Sequence, residues 1–258
     1  EMWIGLVGSE MCIRDSTVCD LHLQSKDAYF NGTTFEKTRL YLDIDETYSS
    51  FNPVDGQTTY YVEHTYSNLT IRNTSATQNT LLWIENPHSF IDGDFLFSNL
   101  TMSINHYNDH AIYDYSDYNF EHLIFNGLDI SNTDTTSQDC VNLHYSDYNF
   151  VWVRYAFNHK TFANFTFHQS PYHMAIFTYD GGSASSNLFT LDNGTITQLG
   201  IHQNDYTCGE YPFNLDNNGY AHLVYIRETK AVIKNVNISN NIISEYTVEN
   251  ASSFIELF

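Results

Sequence analysis

One short element recurs along this chain and constrains its fold more than any other feature: an apolar residue, a spacer, asparagine, then alternating apolar positions. It reads Tyr66-Ser-Asn68-Leu-Thr-Ile71, Phe97-Ser-Asn99-Leu-Thr-Met102, Phe162-Ala-Asn164-Phe-Thr-Phe167 and Ile233-Lys-Asn235-Val-Asn-Ile238. Phe125-Asn-Gly127-Leu-Asp-Ile130 carries glycine in the slot, and Tyr29-Phe-Asn31 and Leu191-Asp-Asn193 are weaker copies. The slot residues fall at 31, 68, 99, 127, 164, 193 and 235, spaced by 28 to 42. Period-two alternation means strands with one buried face. Asn and Gly are the residues that best tolerate the positive φ of a tight turn. A unit of this length without helical periodicity cannot bury its own apolar face, so successive units must stack.

A second repeat is longer and more literal. The hexapeptide YSDYNF occurs at Tyr115–Phe120 and again at Tyr145–Phe150, thirty residues apart, with matching hydrophobic parity on both flanks. It predicts that the two copies lie one coil apart, in register, at the strand separation of about 4.8 Å.

Strings such as NLTIRN, NGLDISN and KNVNISNN make residues 17–258 resemble the right-handed parallel β-helix family, the pectin-lyase-like fold. The resemblance implies an all-β solenoid of about seven coils, some 34 Å long at the strand spacing. Variable repeat spacing suits it, because extra residues bulge out as loops between strands. Ser253–Phe258 reads as the opening strand of a further coil, so the segment is expected to be a slice open at both ends. Residues 1–16, EMWIGLVGSEMCIRDS, differ in texture and resemble a translated sequencing adapter. They are expected to be non-native, leaving 28 acids against 9 bases in the remainder, a net of about −19.

The whole chain carries a formal charge of −21. That disfavours nucleic acid and anionic membranes, since phosphate binding needs a positive field. No apolar run reaches 18 residues, so no transmembrane span is expected in this fragment. Excluding Cys12, three cysteines remain (Cys19, Cys140, Cys208), and an odd number in a slice decides nothing about redox compartment.

Eight Asn-x-Ser/Thr sequons mark candidate glycosylation sites. Asn73, Asn237 and Asn250 lie outside the repeated slot; Asn31, Asn68, Asn99, Asn164 and Asn193 lie in it. For the slot two readings stand side by side: an amide ladder between coils, or a row of glycan acceptors. Tyr115, Tyr118, Tyr145 and Tyr148 are candidate aromatics for stacking on sugar rings. A column of His110, Cys140 and His173 would bring metal donors together if those positions stack, but no metal site is assigned. Asp117 and Asp147, stacked by the hexapeptide repeat, are a candidate Ca²⁺ pair; no other cofactor is expected.

The resemblance implies an extracellular or cell-surface protein with a structural, adhesive or glycan-binding role, whose partners are carbohydrate or neighbouring protein surfaces, with end-to-end stacking open to it. The alternative is a polysaccharide lyase or glycoside hydrolase of the same fold. Lyases of the family use acidic residues for Ca²⁺ and a basic residue as base, for which Arg154 is the candidate. Of the hydrolase motifs, Asn132-Thr-Asp134 is present and Ser137-Gln-Asp-Cys140 echoes another. Gly-His-Gly and Arg-Ile-Lys are absent, and no catalytic residue is assigned.

Overall fold

The structure is a computed structural model describing residues 19–23, 27–36, 38–43, 60–72, 80–86, 91–104, 110–116, 122–132, 149–153, 159–170, 174–178, 188–199, 224–226, 230–241 and 255–257. Residues 1–16 lie outside that set. The chain alternates between two parallel sheets. Sheet A takes β1 (Cys19–Leu23), β4 (Thr38–Asp43), β6 (Thr80–Asn86), β8 (His110–Ser116), β10 (Asn149–Val153), β13 (Met174–Thr178), β15 (Val224–Ile226) and β17 (Ile255–Leu257), stacked in that order. Sheet B takes β2 (Asp27–Asn31) with β3 (Thr34–Glu36), then β5 (Tyr60–Arg72), β7 (Ile91–Ile104) and β9 (His122–Asn132). It continues with β11 (His159–Ala163) and β12 (Thr166–Ser170), β14 (Leu188–Leu199) and β16 (Lys230–Ser239). The result is a parallel β-solenoid of seven coils, with β17 entering an eighth level. Among the described residues no helix is long and apolar enough to cross a membrane.

The slot residue explains the bend in every sheet B strand. In β7, Phe95 and Phe97 point inward, Ser98 and Asn99 both point outward, and Leu100 and Met102 point inward again. One residue with positive φ supplies the extra outward step: Asn68, Asn99, Asn164, Asn193 and Asn235 have φ of 52–56°, and Gly127 has 80°. Asn pays little to enter this left-handed region. In the first coil the bend sits at Gly32 (φ 65°), one residue past the predicted Asn31, which ends β2 instead and pairs with Ser67.

Both elements of the slot's open question are visible. The asparagines face outward and are exposed, yet they hydrogen-bond from coil to coil. Asn68 Nδ2 donates to Asn31 Oδ1 at 2.9 Å, and Asn99 Nδ2 to Asn68 Oδ1 at 3.0 Å. Asn164 Nδ2 donates to Asn126 Oδ1 and Asn193 Nδ2 to Asn164 Oδ1, both at 2.6 Å. Gly127 interrupts the row because a Cβ there would lie 2.7 Å from Asn99 Oδ1. The sequon threonines follow from the same geometry. Thr70, Thr101, Thr166 and Thr195 fall in one outward column with Thr34 and Asp129, two residues past the bend.

The literal hexapeptide repeat does not stack as predicted. Val151 pairs with Ile112 and Trp152 with Tyr113, an offset of 39 residues rather than thirty. Tyr115 and Ser116 therefore end β8, whereas Asn149 and Phe150 open β10, so the described parts of the two copies sit at opposite ends of neighbouring strands. Burial fits this register: Phe150, Val151 and Val153 are each at 1% exposure or less, with Val151 set against Ile112 in the core.

The core is a set of apolar columns running along the solenoid axis. Phe30, Tyr66, Phe97, Phe125 and Phe162 stack ring on ring, with centroids 4.7–5.7 Å apart and planes within 16°. Beside them run Phe35, Ile71, Met102, Ile130, Phe167 and Ile196. Sheet A contributes Leu40, Leu82, Ile112, Val151, Ile176 and Val224. At roughly 25 cal/mol per Å² of apolar surface removed from water, these continuous columns supply the main driving force for coiling.

Candidate functional site

Alternation on sheet A sends one residue of each strand outward between two buried ones. Leu40 and Leu42 flank Tyr41, Leu82 and Ile84 flank Trp83, Ile112 and Asp114 flank Tyr113, and Val151 and Val153 flank Trp152. The parallel register then aligns Tyr41, Trp83, Tyr113 and Trp152 in a single outer column. These four side chains form a half-buried stack. Tyr41 and Trp83 are 5.5 Å apart at 16°, Trp83 and Tyr113 4.4 Å at 41°, and Tyr113 and Trp152 4.5 Å at 3°. Parallel rings touch at about 3.5 Å, so a 4.5 Å centroid separation means they slip past each other like roof tiles. Each ring keeps part of a face uncovered.

Polar groups line this column. The Glu85 carboxylate accepts hydrogen bonds from Tyr41 Oη and from Trp83 Nε1, the latter at 3.2 Å. Arg39 lays its guanidinium 5.5 Å from the Tyr41 ring centroid and 5.6 Å from that of Trp83. His110 packs 5.6 Å from Tyr113 and 6.2 Å from Trp152. Aromatic faces edged by a carboxylate, a guanidinium and an imidazole suit a ligand with both C–H faces and hydroxyl edges.

Sheet B carries a second set of outward polar pairs. His122 Nδ1 lies 2.9 Å from Asp94 Oδ1, and its ring stacks on His159 at 5.6 Å. His168 Nε2 meets Asp129 Oδ1 at 2.9 Å. Lys234 Nζ meets Asp192 Oδ2 at 3.1 Å; that hydrogen bond, followed by one from Asn235, holds the Asp192 carboxyl below its ordinary range. Among the described residues no three His, Cys, Asp or Glu side chains gather as a metal site would require.

Most site candidates from sequence do not meet in this column. Tyr115 extends β8 opposite Glu85, while Tyr118, Tyr145 and Tyr148 lie outside the described residues. So do Asp117, Cys140, Asp147, Arg154, His173, Asn73 and Asn250. Asn149 pairs with Met174 and, continuing the β8–β10 register, stands at the level of His110, where Cys140 was expected. Asn132 is buried at 3% exposure at the end of β9. Asn237 is exposed on β16, opposite Thr195. The Tyr41–Trp152 column could have been found in sequence from Leu-Tyr-Leu, Leu-Trp-Ile, Ile-Tyr-Asp and Val-Trp-Val, aromatic residues each centred between inward positions.

The interior holds one further pair that sequence reading missed. Lys160 on β11 hydrogen-bonds through Nζ to Asp114 Oδ2 on β8, with side-chain exposures of 2% and 0%. Three coils away in the same inward column, His64 is buried and its Nδ1 lies 2.9 Å from Tyr66 Oη; burial pushes the Tyr66 phenol well above its usual value.

No family model matches this chain, and no curated protein or solved structure is significantly similar to it.

Proposed function

We propose that this parallel β-helix is an extracellular or cell-surface protein that binds neutral carbohydrate along the outer column of sheet A. One observation carries the reading: Tyr41, Trp83, Tyr113 and Trp152 form a half-buried, roof-tiled stack edged by Glu85, Arg39 and His110. Strand spacing of about 4.8 Å is comparable to the length of one sugar unit, so an extended glycan running along the axis meets a ring at each coil. The formal charge of −21 favours a neutral glycan over a polyanionic one. Kinship with the pectin-lyase-like proteins, and N-glycosylation at Asn73, Asn237 and Asn250, belong to this same reading. In the slot, the inter-coil amide bonds favour the ladder over the glycan, because a sugar on Nδ2 removes a donor hydrogen and crowds the next coil.

The test is tryptophan fluorescence of the full chain during titration with neutral and acidic oligosaccharides, with and without Ca²⁺. Quenching by a neutral oligosaccharide, weakened about tenfold by Trp152→Ala, is the expected result, since ~1.4 kcal/mol per ring contact is one decade in affinity. No response to any neutral glycan removes the proposal. Release of unsaturated product from polygalacturonate with Ca²⁺, lost in Arg154→Ala, would replace it with the lyase reading.

A further inference from the structure

The buried Lys160–Asp114 pair is the strongest chemical anomaly in the core. Asp114 is flanked in its column by Ile84 and Val153, and Lys160 by Leu123 and Phe189, all four at 1% exposure or less. The two residues belong to opposite sheets and stand 46 residues apart in sequence. As an ion pair, such an arrangement gains little, because desolvating two charges consumes most of their mutual attraction. A lysine at this level has alternatives in its own column, where every other fully described neighbour but His64 is apolar: Ala28, Phe95, Leu123, Phe189 and Ala231.

We propose that Lys160 and Asp114 condense into an intramolecular amide that ties sheet B to sheet A through the core. The step balances without any co-reactant. A proton passes from Lys160 Nζ to the Asp114 oxygen it already contacts; the freed amine lone pair attacks Cγ. A second Nζ proton then moves to the departing oxygen, the C–O bond breaks, and one water leaves as the C–N bond forms. Three features of the site favour it. The reacting groups are held in contact, which replaces a bimolecular encounter by an intramolecular one. The pair is closed off from solvent, at 2% and 0% side-chain exposure, so loss of the product water to bulk opposes the reverse reaction. The product is a neutral amide, so both buried charges disappear together. The resulting bond closes a covalent loop through adjacent coils.

The experiment is intact-mass spectrometry of the denatured full chain after prolonged incubation in the folded state. The expected mass is lower than that of the sequence by one water, with trypsin unable to cut after Lys160 and peptide mapping joining the Lys160 and Asp114 segments. Lys160→Arg should run at its calculated mass. A wild-type chain at full mass overturns the proposal, and so does loss of water mapped to any other pair of residues. Should Lys160→Arg fail to fold, the wild-type peptide map alone decides.

Discussion

Two aromatic columns run along this solenoid, one inside sheet B and one outside sheet A, and their stacking geometry is nearly the same. The inner rings of Phe30, Tyr66, Phe97, Phe125 and Phe162 sit 4.7–5.7 Å apart. The outer rings of Tyr41, Trp83, Tyr113 and Trp152 sit 4.4–5.5 Å apart. The parallel register alone produces both, because equivalent positions recur at every strand spacing. Stacking is therefore no mark of function in a solenoid. The difference lies in chemistry and exposure. The inner column is almost all phenylalanine, at 1% exposure or less from Tyr66 to Phe162. The outer one is all tyrosine and tryptophan, half-exposed, with the polar rims of Tyr41 and Trp83 engaged by Glu85. Residues with a polar edge are placed where one side is wet.

Paired truncations test that contrast, and they carry the largest expected effect. Phe125→Ala opens a void between Phe97 and Phe162 and should cost about 3–5 kcal/mol. Tyr113→Ala on the outer column loses its ring contacts with Trp83, Trp152 and His110 without a closed cavity, so about 1–2 kcal/mol is expected. Denaturant unfolding of the two variants side by side measures the difference. Equal losses would mean that the outer column is as structural as the inner one.

The same contrast explains what could be read from sequence and what could not. The bends of sheet B were legible because their cause is local: one positive-φ residue, then an inward and an outward position, written the same way in coil after coil. Asn68, Asn99, Gly127, Asn164, Asn193 and Asn235 all serve as the bend, and only the first slipped, from Asn31 to Gly32. Sheet A was illegible because its register depends on loop length. The β8–β10 offset is 39 residues and the β10–β13 offset is 25, so the thirty-residue hexapeptide repeat pointed to a pairing that the strands do not make. Tyr115 and Tyr145 stand in that same literal repeat, while Trp83 and Trp152 share no literal motif. The Lys160–Asp114 pair was hidden more deeply, since a lysine in His-Lys-Thr-Phe reads as solvent-facing until the strand's parity is known.

An intermediate effect is expected at Gly194, an inward position whose missing side chain is occupied by a neighbour. A Cβ there would fall 2.1–2.4 Å from three ring carbons of Phe165 in the preceding coil. The other inward residues of that column are Leu69, Leu100, Leu128 and Val236, so glycine is present for room and not for backbone freedom. Gly194→Ala should destabilise by about 1–3 kcal/mol through overpacking. Adding Phe165→Leu should recover part of that loss, and a strictly additive double variant would show that the two sites do not share space.

The smallest effect separates the two columns by pH rather than by volume. Tyr66 is the one hydroxyl-bearing ring of the inner stack, and burial raises its pKa well above the ordinary value near 10. Its neutral phenol is favoured by folding, so the stability it contributes is fully present below about pH 10 and is lost as pH rises through the raised folded value. Tyr66→Phe keeps the stack but loses the His64 contact, so the variant should be about 1 kcal/mol less stable at pH 7. Above pH 10 the unfolded wild-type chain ionises this phenol and the variant has nothing to ionise, so the gap should narrow and then reverse. Urea unfolding of both chains at pH 7 and pH 11 measures it. A gap that stays constant would mean Tyr66 reaches solvent in the folded state, and the inner column would then differ from the outer one less than its packing indicates.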